Sequence, residues 1–200
     1  MPEVPPVTSD NVTPDRVTSA QSPRVRSRWR VVGEWVVVVI VAVTVSLLVR
    51  SYAFQTFYIP SASMEPTLQL GDRLMVDKLS VEFGTINVGD VVVFKAPAAE
   101  NCGKKVADLV KRVIGTPGDV LTSKGNTIYD NGIPLDEKWP HTEPIGPAIG
   151  RVTVSANQYF VLGDNHSDSC DSRSWGTVPR SDIIGKAFVR FWPLSRVAWL

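Results

Sequence analysis

The chain has 200 residues with nearly balanced charge, 21 Lys and Arg against 20 Asp and Glu. This length suits one domain with appendages, and the balance excludes a strong overall field toward nucleic acid. The two cysteines and two histidines form no zinc-ribbon pattern and are too few for a multi-histidine metal centre. We therefore expect no metal, no cofactor and no nucleic-acid partner.

Residues 1–30 predict a disordered tail. The segment is rich in Pro, Ser, Thr and Val up to Pro23 and shows neither helical nor strand periodicity. Arginines then cluster before the next segment, at Arg24, Arg26, Arg28 and Arg30. An arginine cluster on one side of an apolar segment favours the cytoplasm for that side. The tail is therefore predicted to be cytoplasmic.

Residues 31–50 predict a single transmembrane helix. The run from Val31 to Val49 is almost wholly apolar and is closed by Arg50. About 19 residues in a helix rise roughly 28 Å, which matches a bilayer core. A cleavable signal peptide would be shorter and followed by a small-residue cleavage site, and a buried soluble helix is rarely apolar on all sides. We expect a single-pass protein of the cell membrane, with residues 51–200 outside the cytoplasm.

Beyond the helix, the sequence predicts an interfacial aromatic belt and then a β domain. The belt is expected at residues 51–58, where the helix leaves the bilayer. Short apolar runs then follow Gly-Asp pairs, as at Gly71-Asp72 and Gly89-Asp90. Pro117-Gly118 fits a type II turn, and Asn131-Gly132 is a strong hairpin signal. This pattern predicts a mostly antiparallel β fold.

Two segments offer the parts of a serine protease, which needs a nucleophile and a base. Ser63 lies in a loop between Pro60 and Pro66 that can present a hydroxyl, although a Ser-rich loop is usually only a solvated turn. Lys111 lies in an otherwise apolar predicted strand. Burial would lower the pKa of its amine and make it a neutral base. An isolated lysine more commonly extends its ammonium to water.

A third segment, residues 163–176, concentrates hydroxyls, carboxylates, an amide and a guanidinium after an apolar strand. A calcium loop and a plain polar turn are both possible here. Arg173 with Trp175-Gly176 favours an ordered loop over a solvated one.

Taken together, these segments resemble the type I signal peptidases, a family of Ser–Lys serine proteases. The resemblance covers the apolar helix and then, in the family's order, residues 61–68, 71–79, 89–94, 111–119 and 163–179. It implies a membrane-bound serine endopeptidase that removes signal peptides from exported preproteins. Its expected partners are preprotein signal peptides and the lipid bilayer. The implied fold is an antiparallel β catalytic core with a smaller β insertion, which we place at residues 120–157.

The resemblance also implies roles for individual residues. Ser63 would be the nucleophile and Lys111 its general base. Ser61 would lend its hydroxyl to an oxyanion hole beside the backbone N–H of Ser63. Ser169 would orient the Lys111 amine through a hydrogen bond.

Two further groups of residues are implied to support catalysis and to bind substrate. Asp171 and Arg173 would form an ion pair that holds their loop. Shallow pockets for small side chains of the substrate would be lined by Ile59, Met64, Leu68 and Val110.

The sequence departs from the family within the third segment. His166 stands where the family commonly has Arg, and Ser167 where Asp is frequent. The histidine raises an alternative, a triad of Ser63, His166 and an aspartate, which would leave the lysine strand unexplained. Cys102 and Cys170 are either two free thiols or a disulfide that ties the loop of Ser169 to the segment before Lys111.

Two other functions are alternatives to this one. The first is a self-cleaving Ser–Lys peptidase of the repressor type. A predicted transmembrane helix followed by an outward-facing domain argues against it. The second is an inactive membrane-tethered β domain that only binds peptides, which would need neither Ser63 nor Lys111.

Overall fold

The computed structural model of the protein describes residues 28–100, 103 and 106–200. The chain divides into two units, the first ending at Val43 and the second beginning at Thr44. A long helix, α1 (Arg28–Ala53), is followed by twelve strands and two short helices. The strands are β1 (Phe54–Tyr58), β2 (Arg73–Asp77), β3 (Val91–Lys95), β4 (Asp108–Gly115), β5 (Val120–Lys124), β6 (Thr127–Asp130), β7 (Ile133–Pro134), β8 (Val152–Thr153), β9 (Gln158–Leu162), β10 (Val178–Pro179), β11 (Ile183–Trp192) and β12 (Ala198–Trp199). The short helices are α2 (Leu79–Glu82) and α3 (Ser172–Trp175).

Helix α1 contains the predicted membrane-spanning segment. Val31–Val49 is 19 residues long, has a mean hydropathy of 2.5 and is long and apolar enough to cross a membrane. A valine-rich run disfavours helix in water, but in lipid a helix satisfies all of its own backbone groups. The helix begins inside the predicted tail and ends beyond the predicted boundary at residue 50. Residues 1–27 of the predicted tail lie outside the described residues.

The larger sheet has eight strands, and every pairing in it is antiparallel. Its order is β1-β2-β11-β3-β4-β9-β10, and β12 pairs with β11. Strand β4, which carries Lys111, lies between β3 and β9, and Lys111 is opposite Val92 of β3. Strand β4 therefore pairs along both of its edges, with β3 and with β9.

A second, four-stranded antiparallel sheet has the order β7-β6-β5-β8. All of its strands come between β4 and β9 in the chain and fall inside the range 120–157. The boundaries of an inserted subdomain at these residues stay a prediction.

The core forms on both faces of the larger sheet. In β3, Val91 and Val93 pack in one apolar cluster with Leu74, while Val92 and Phe94 pack in another. Because successive side chains of a strand point to opposite faces, this run of four apolar residues is buried on both sides. A third cluster, around Phe160, joins β4 and β9 to the smaller sheet.

The structure confirms the two turns read from the sequence. The N–H of Asp119 donates to the carbonyl of Thr116 at 3.1 Å, and Gly118 has a φ of 99°. This is the positive φ that the third position of a type II turn requires. Asn131 and Gly132 have φ values of 50° and 82°, as expected for the type I′ hairpin turn.

The segment after the apolar helix differs from the sequence-based description. The aromatic belt expected at residues 51–58 includes a strand, β1, which pairs from Phe54 opposite Asp77 to Tyr58 opposite Arg73. Only Phe57 of this strand is partly buried. An edge strand with so little buried surface shows no alternation of apolar and polar residues, which explains why it was missed. The predicted fold class is confirmed: mostly antiparallel β structure, few helices and one N-terminal apolar helix.

Candidate active site

Ser63 lies in the loop that connects β1 to β2 and is half-buried. The loop is folded by its own backbone hydrogen bonds, among them one from the Leu68 N–H to the Met64 carbonyl at 2.8 Å. The hydroxyl of Ser61 is exposed and lies 3.4 Å from the Ser63 hydroxyl. Two of the predicted site residues therefore lie side by side at the edge of this loop.

Lys111 reaches Ser63 from strand β4. Its Nζ donates a hydrogen bond of 2.7 Å to Ser63 Oγ, and the residue is only 2% exposed. Burial lowers the pKa of Lys111 to about 8, and the positive charge of Arg173 acts in the same direction, while Asp171, Asp164 and Asp168 oppose it. Desolvation disfavours the ammonium form. A substantial fraction of the amine is therefore neutral near physiological pH, and it touches a hydroxyl.

The predicted ion pair between Asp171 and Arg173 is formed and is almost fully buried. The guanidinium is bidentate, with Nε 2.8 Å from Oδ1 and Nη2 2.6 Å from Oδ2. Asp171 also caps helix α3 and accepts the N–H of Gly163 at 3.2 Å. Arg173 Nη1 donates to the carbonyls of Ile145 and His166. The pair thus joins both ends of the 163–173 loop to the segment that contains Ile145.

The hydrogen bond expected between Ser169 and the Lys111 amine is not formed. Ser169 Oγ is buried and has no hydrogen-bond partner among the described residues. The side chain lies against the backbone of Gly163, and Lys111 Nζ instead donates to Ser63. An orienting role for Ser169 stays a prediction.

Cys170, next to Ser169, is disulfide-bonded. The sequence holds one other cysteine, Cys102, which lies outside the described residues. The pairing of Cys102 with Cys170 stays a prediction.

Sequence reasoning missed a second buried ion pair, between Arg112 and Asp164. Arg112 Nε and Nη2 each lie 2.7 Å from an oxygen of Asp164, and the two side chains are 5% and 1% exposed. Arg112 also donates to the Gly89 carbonyl at 2.7 Å and to Thr67 Oγ1 at 3.4 Å. The guanidinium therefore joins β4 to the Ser63 loop and to the 163–173 loop. The sequence feature that could have indicated this ion pair is Arg112, a second charged residue directly after Lys111 in an apolar strand.

His166 does not form a triad with Ser63. It is 1% exposed, and within the described part of the chain neither ring nitrogen has a hydrogen-bond partner. The ring stacks on His141 with centroids 5.1 Å apart, and Nε2 lies 3.6 Å from Glu137 Oε1. The side chain in contact with Ser63 Oγ is that of Lys111, and His166 lies against His141 and Glu137 instead, which contradicts the alternative triad.

The four residues expected to line the substrate pockets lie in one apolar cluster. Ile59, Met64 and Leu68 are no more than 2% exposed, and Val110 packs against them with part of its surface accessible. Their role in substrate binding stays a prediction. Among the described residues, no group of three or more His, Cys, Asp and Glu side chains is arranged to hold a metal.

Comparison with known proteins identifies the family of the chain. A family model described as signal peptidase, peptidase S26, matches residues 32–192. The probable signal peptidase I-2 of Synechocystis sp. is 40% identical over 193 residues, which cover 96% of this chain and 86% of the relative. Signal peptidase I of Leptolyngbya laminosa is 41% identical over 162 residues, which cover 80% of this chain and 79% of the relative. A crystal structure of a signal peptidase I from Enterococcus faecalis aligns with a TM-score of 0.42 at 27% identity, covering 51% of this chain and 96% of that one.

These matches place the chain among the peptidases. The family model spans most of its length, and relatives about 40% identical cover most of it as well. The chain belongs to the signal peptidase family, peptidase S26, and its relatives are type I signal peptidases.

Proposed function

We propose that this protein is a membrane-bound serine endopeptidase that cleaves N-terminal signal peptides from exported preproteins, with Ser63 and Lys111 as its catalytic dyad. The observation that supports this most directly is the 2.7 Å hydrogen bond between Ser63 Oγ and the buried amine of Lys111. A serine needs such a base to become a nucleophile.

In the proposed reaction, neutral Lys111 takes the proton of Ser63 as Oγ attacks the scissile carbonyl. The resulting ammonium then gives the proton to the leaving amine, which leaves an acyl-enzyme on Ser63 for water to hydrolyse. The lowered pKa of Lys111, about 8, suits both steps, because a base near the working pH can accept and return a proton.

The negative oxygen of the tetrahedral intermediate would be stabilised by the backbone N–H of Ser63 and the hydroxyl of Ser61. The distance of 3.4 Å from Ser61 Oγ to Ser63 Oγ supports this role, because it leaves the Ser61 hydroxyl near the proposed nucleophile. Donors fixed in advance at such a position stabilise the transition state more than the substrate.

The membrane helix gives the proposal its setting. Val31–Val49 is long and apolar enough to span a bilayer, and arginines precede it in the sequence. We infer a cytoplasmic N-terminus and a catalytic unit outside the cell membrane. A signal peptide presents its cleavage site where its own apolar helix leaves the bilayer, so enzyme and substrate would meet at the same interface.

The test uses the full-length protein in detergent with a preprotein whose cleavage site is known. Wild type should release the mature protein, and sequencing its new N-terminus should map the cut to the end of the signal peptide. Ser63→Ala should give no product although it folds as wild type does. A serine-directed penem should acylate wild type at Ser63. No cleavage and no acylation in folded wild type would indicate a peptide-binding protein without activity.

A further inference from the structure

One residue, Asn165, holds the backbone on both sides of Ser63 through its side chain and its own backbone N–H. Its Nδ2 donates to the carbonyl of Ala62 at 3.2 Å, and its backbone N–H donates to the carbonyl of Ser63 at 3.1 Å. These two carbonyls belong to the peptide groups that precede and follow Ser63. Both peptide groups that flank the nucleophile are therefore hydrogen-bonded to one residue.

The hydrogen bond from Asn165 to the Ala62 carbonyl also fixes the direction of the Ser63 N–H. The Ala62 carbonyl and the Ser63 N–H belong to the same peptide group, which is planar and trans. Holding the oxygen therefore sets the direction in which the Ser63 N–H points. The carbonyl accepts a second hydrogen bond, from the Glu65 N–H within the same loop at 3.0 Å, whereas the hydrogen bond from Asn165 comes from another loop.

The orientation of the Asn165 amide follows from its partners. A carbonyl can only accept, so the NH₂ group must face Ala62. The opposite end, Oδ1, accepts from Thr142 Oγ1 at 3.0 Å and from Ser167 Oγ at 3.2 Å. Both polar atoms of the amide, Nδ2 and Oδ1, thus have hydrogen-bond partners that fix its orientation.

Thr142 brings a third segment to the site. It lies between β7 and β8, in the stretch that joins the strands of the smaller sheet. Its N–H donates to the Asp164 carbonyl at 2.9 Å, and it forms a bridge with Asn165. The smaller sheet's connection therefore touches the residue that holds the nucleophile.

We propose that Asn165 is a positioning residue that aims the Ser63 N–H at the oxyanion, and that Thr142 fixes the Asn165 amide for this task. The proposal rests on the proposed function, because it assigns the Ser63 N–H to the oxyanion hole. Asn165 acts through the backbone of Ser63 and needs no contact with the substrate. Loss of the hydrogen bond from Asn165 to Ala62, or of the one from Thr142 to Asn165, should therefore slow the chemical step and leave substrate affinity unchanged.

The experiment measures kcat and KM for preprotein cleavage by the full-length protein in detergent. Thr142→Val removes the hydroxyl at nearly constant shape and should lower kcat roughly tenfold, since small misplacements at a reacting centre are costly. Asn165→Asp replaces the NH₂ donor by an acceptor and should lower kcat by about a hundredfold, as loss of an oxyanion donor does. KM should stay within twofold in both, and Thr142→Ser, which keeps the hydroxyl, should retain the wild-type kcat.

The matched control is Thr116→Val, which removes a hydrogen bond of 2.9 Å from Thr116 Oγ1 to Asp119 at a turn remote from Ser63 in the sequence. It should leave kcat unchanged even if the melting temperature falls. A wild-type kcat in Thr142→Val, an effect on KM alone, or an equal loss of kcat in Thr116→Val would each overturn the inference. Failure of wild type itself to cleave would instead refute the proposed function.

Discussion

Lys111 Nζ and Ser63 Oγ lie 2.7 Å apart although 48 positions separate the two residues in sequence. One comes from an interior strand and the other from the loop between β1 and β2. The lysine side chain is flexible, so this contact depends on what surrounds it. The bidentate pairs Arg112–Asp164 and Asp171–Arg173 help to hold strand β4, the Ser63 loop and the 163–173 loop together. Lys111 is buried near these charged side chains.

The first prediction concerns the pH dependence of cleavage. Because a lysine base must be neutral, kcat/KM should rise with pH through the Lys111 pKa of about 8 and level off above it. Lys111→Met and Lys111→Arg should both be inactive, the latter because arginine does not deprotonate near neutrality. Initial rates of preprotein cleavage from pH 6 to 10 would show this. His166→Ala is the control and should keep most of the activity, and a flat profile would contradict a titrating lysine.

The second prediction concerns the stability cost of the base. The folded state binds the Lys111 proton less tightly than the unfolded chain, whose lysine pKa is about 10.4. The folded protein is therefore penalised below pH 8, and the penalty disappears as the pH rises to about 10.4. The difference from a pKa of about 8 corresponds to roughly 3 kcal/mol.

Lys111→Met should remove this penalty. The variant should be inactive but more stable than wild type at pH 7, by up to about 3 kcal/mol, in denaturant unfolding. At pH 10.5 the two proteins should have nearly equal stability. Lower stability of Lys111→Met at both values would mean that the lysine contributes more by packing and hydrogen bonding than its desolvation costs.

The sequence singled out Ser63 and Lys111, which the structure brings into contact, because chemistry restricts which residues can serve as a nucleophile and its base. A serine in a stiff loop and a lysine in an apolar strand are unusual enough to be noticed, and their motifs recur in order along the chain. The turns at Gly118 and Asn131 were predicted for a similar reason, since few residues tolerate their backbone angles.

Apart from the Asp171–Arg173 pair, which the family resemblance implied, the supporting contacts could not be predicted in the same way. The partner of Arg112 is 52 positions away, and Ser169 was assigned a hydrogen bond that this structure does not form. Such contacts are decided by how the loops pack, which local sequence does not encode. His166 shows the same limit, because its burial against His141 and Glu137 depends on the connection between β7 and β8.

The third prediction concerns Gly163, which lies against the backbone of Ser63 and the side chain of Ser169. A Cβ at this position would overlap the Ser63 carbonyl and the Ser169 hydroxyl. Gly163→Ala should therefore displace the nucleophile and lower kcat by at least about a hundredfold. Overpacking should also cost about 1–3 kcal/mol of stability. Gly150→Ala is the matched control, because a Cβ there would meet nothing within 4 Å; equal activity of the two variants would show that the close approach is not needed.

The last prediction concerns acid stability and the buried histidine. Burial lowers the pKa of His166, and the positive charges of His141 and Arg173 act in the same direction against the carboxylates of Asp164 and Asp171. The folded state therefore keeps the ring neutral while the unfolded chain protonates it near pH 6.5. The unfolded state then binds more protons, so stability is lost as the pH falls below about 6.5, by at most about 1.4 kcal/mol per pH unit.

Glu137, 3.6 Å from His166, opposes this loss. Burial raises the pKa of Glu137, so its protonation at low pH favours the folded state. His166→Gln should consequently lose less stability than wild type between pH 7.5 and 5.5, and Glu137→Gln should lose more. Thermal melting of the full-length protein in detergent at the two pH values measures both effects. If His166→Gln lost as much stability as wild type on acidification, the buried ring would not be the group whose protonation destabilises the fold.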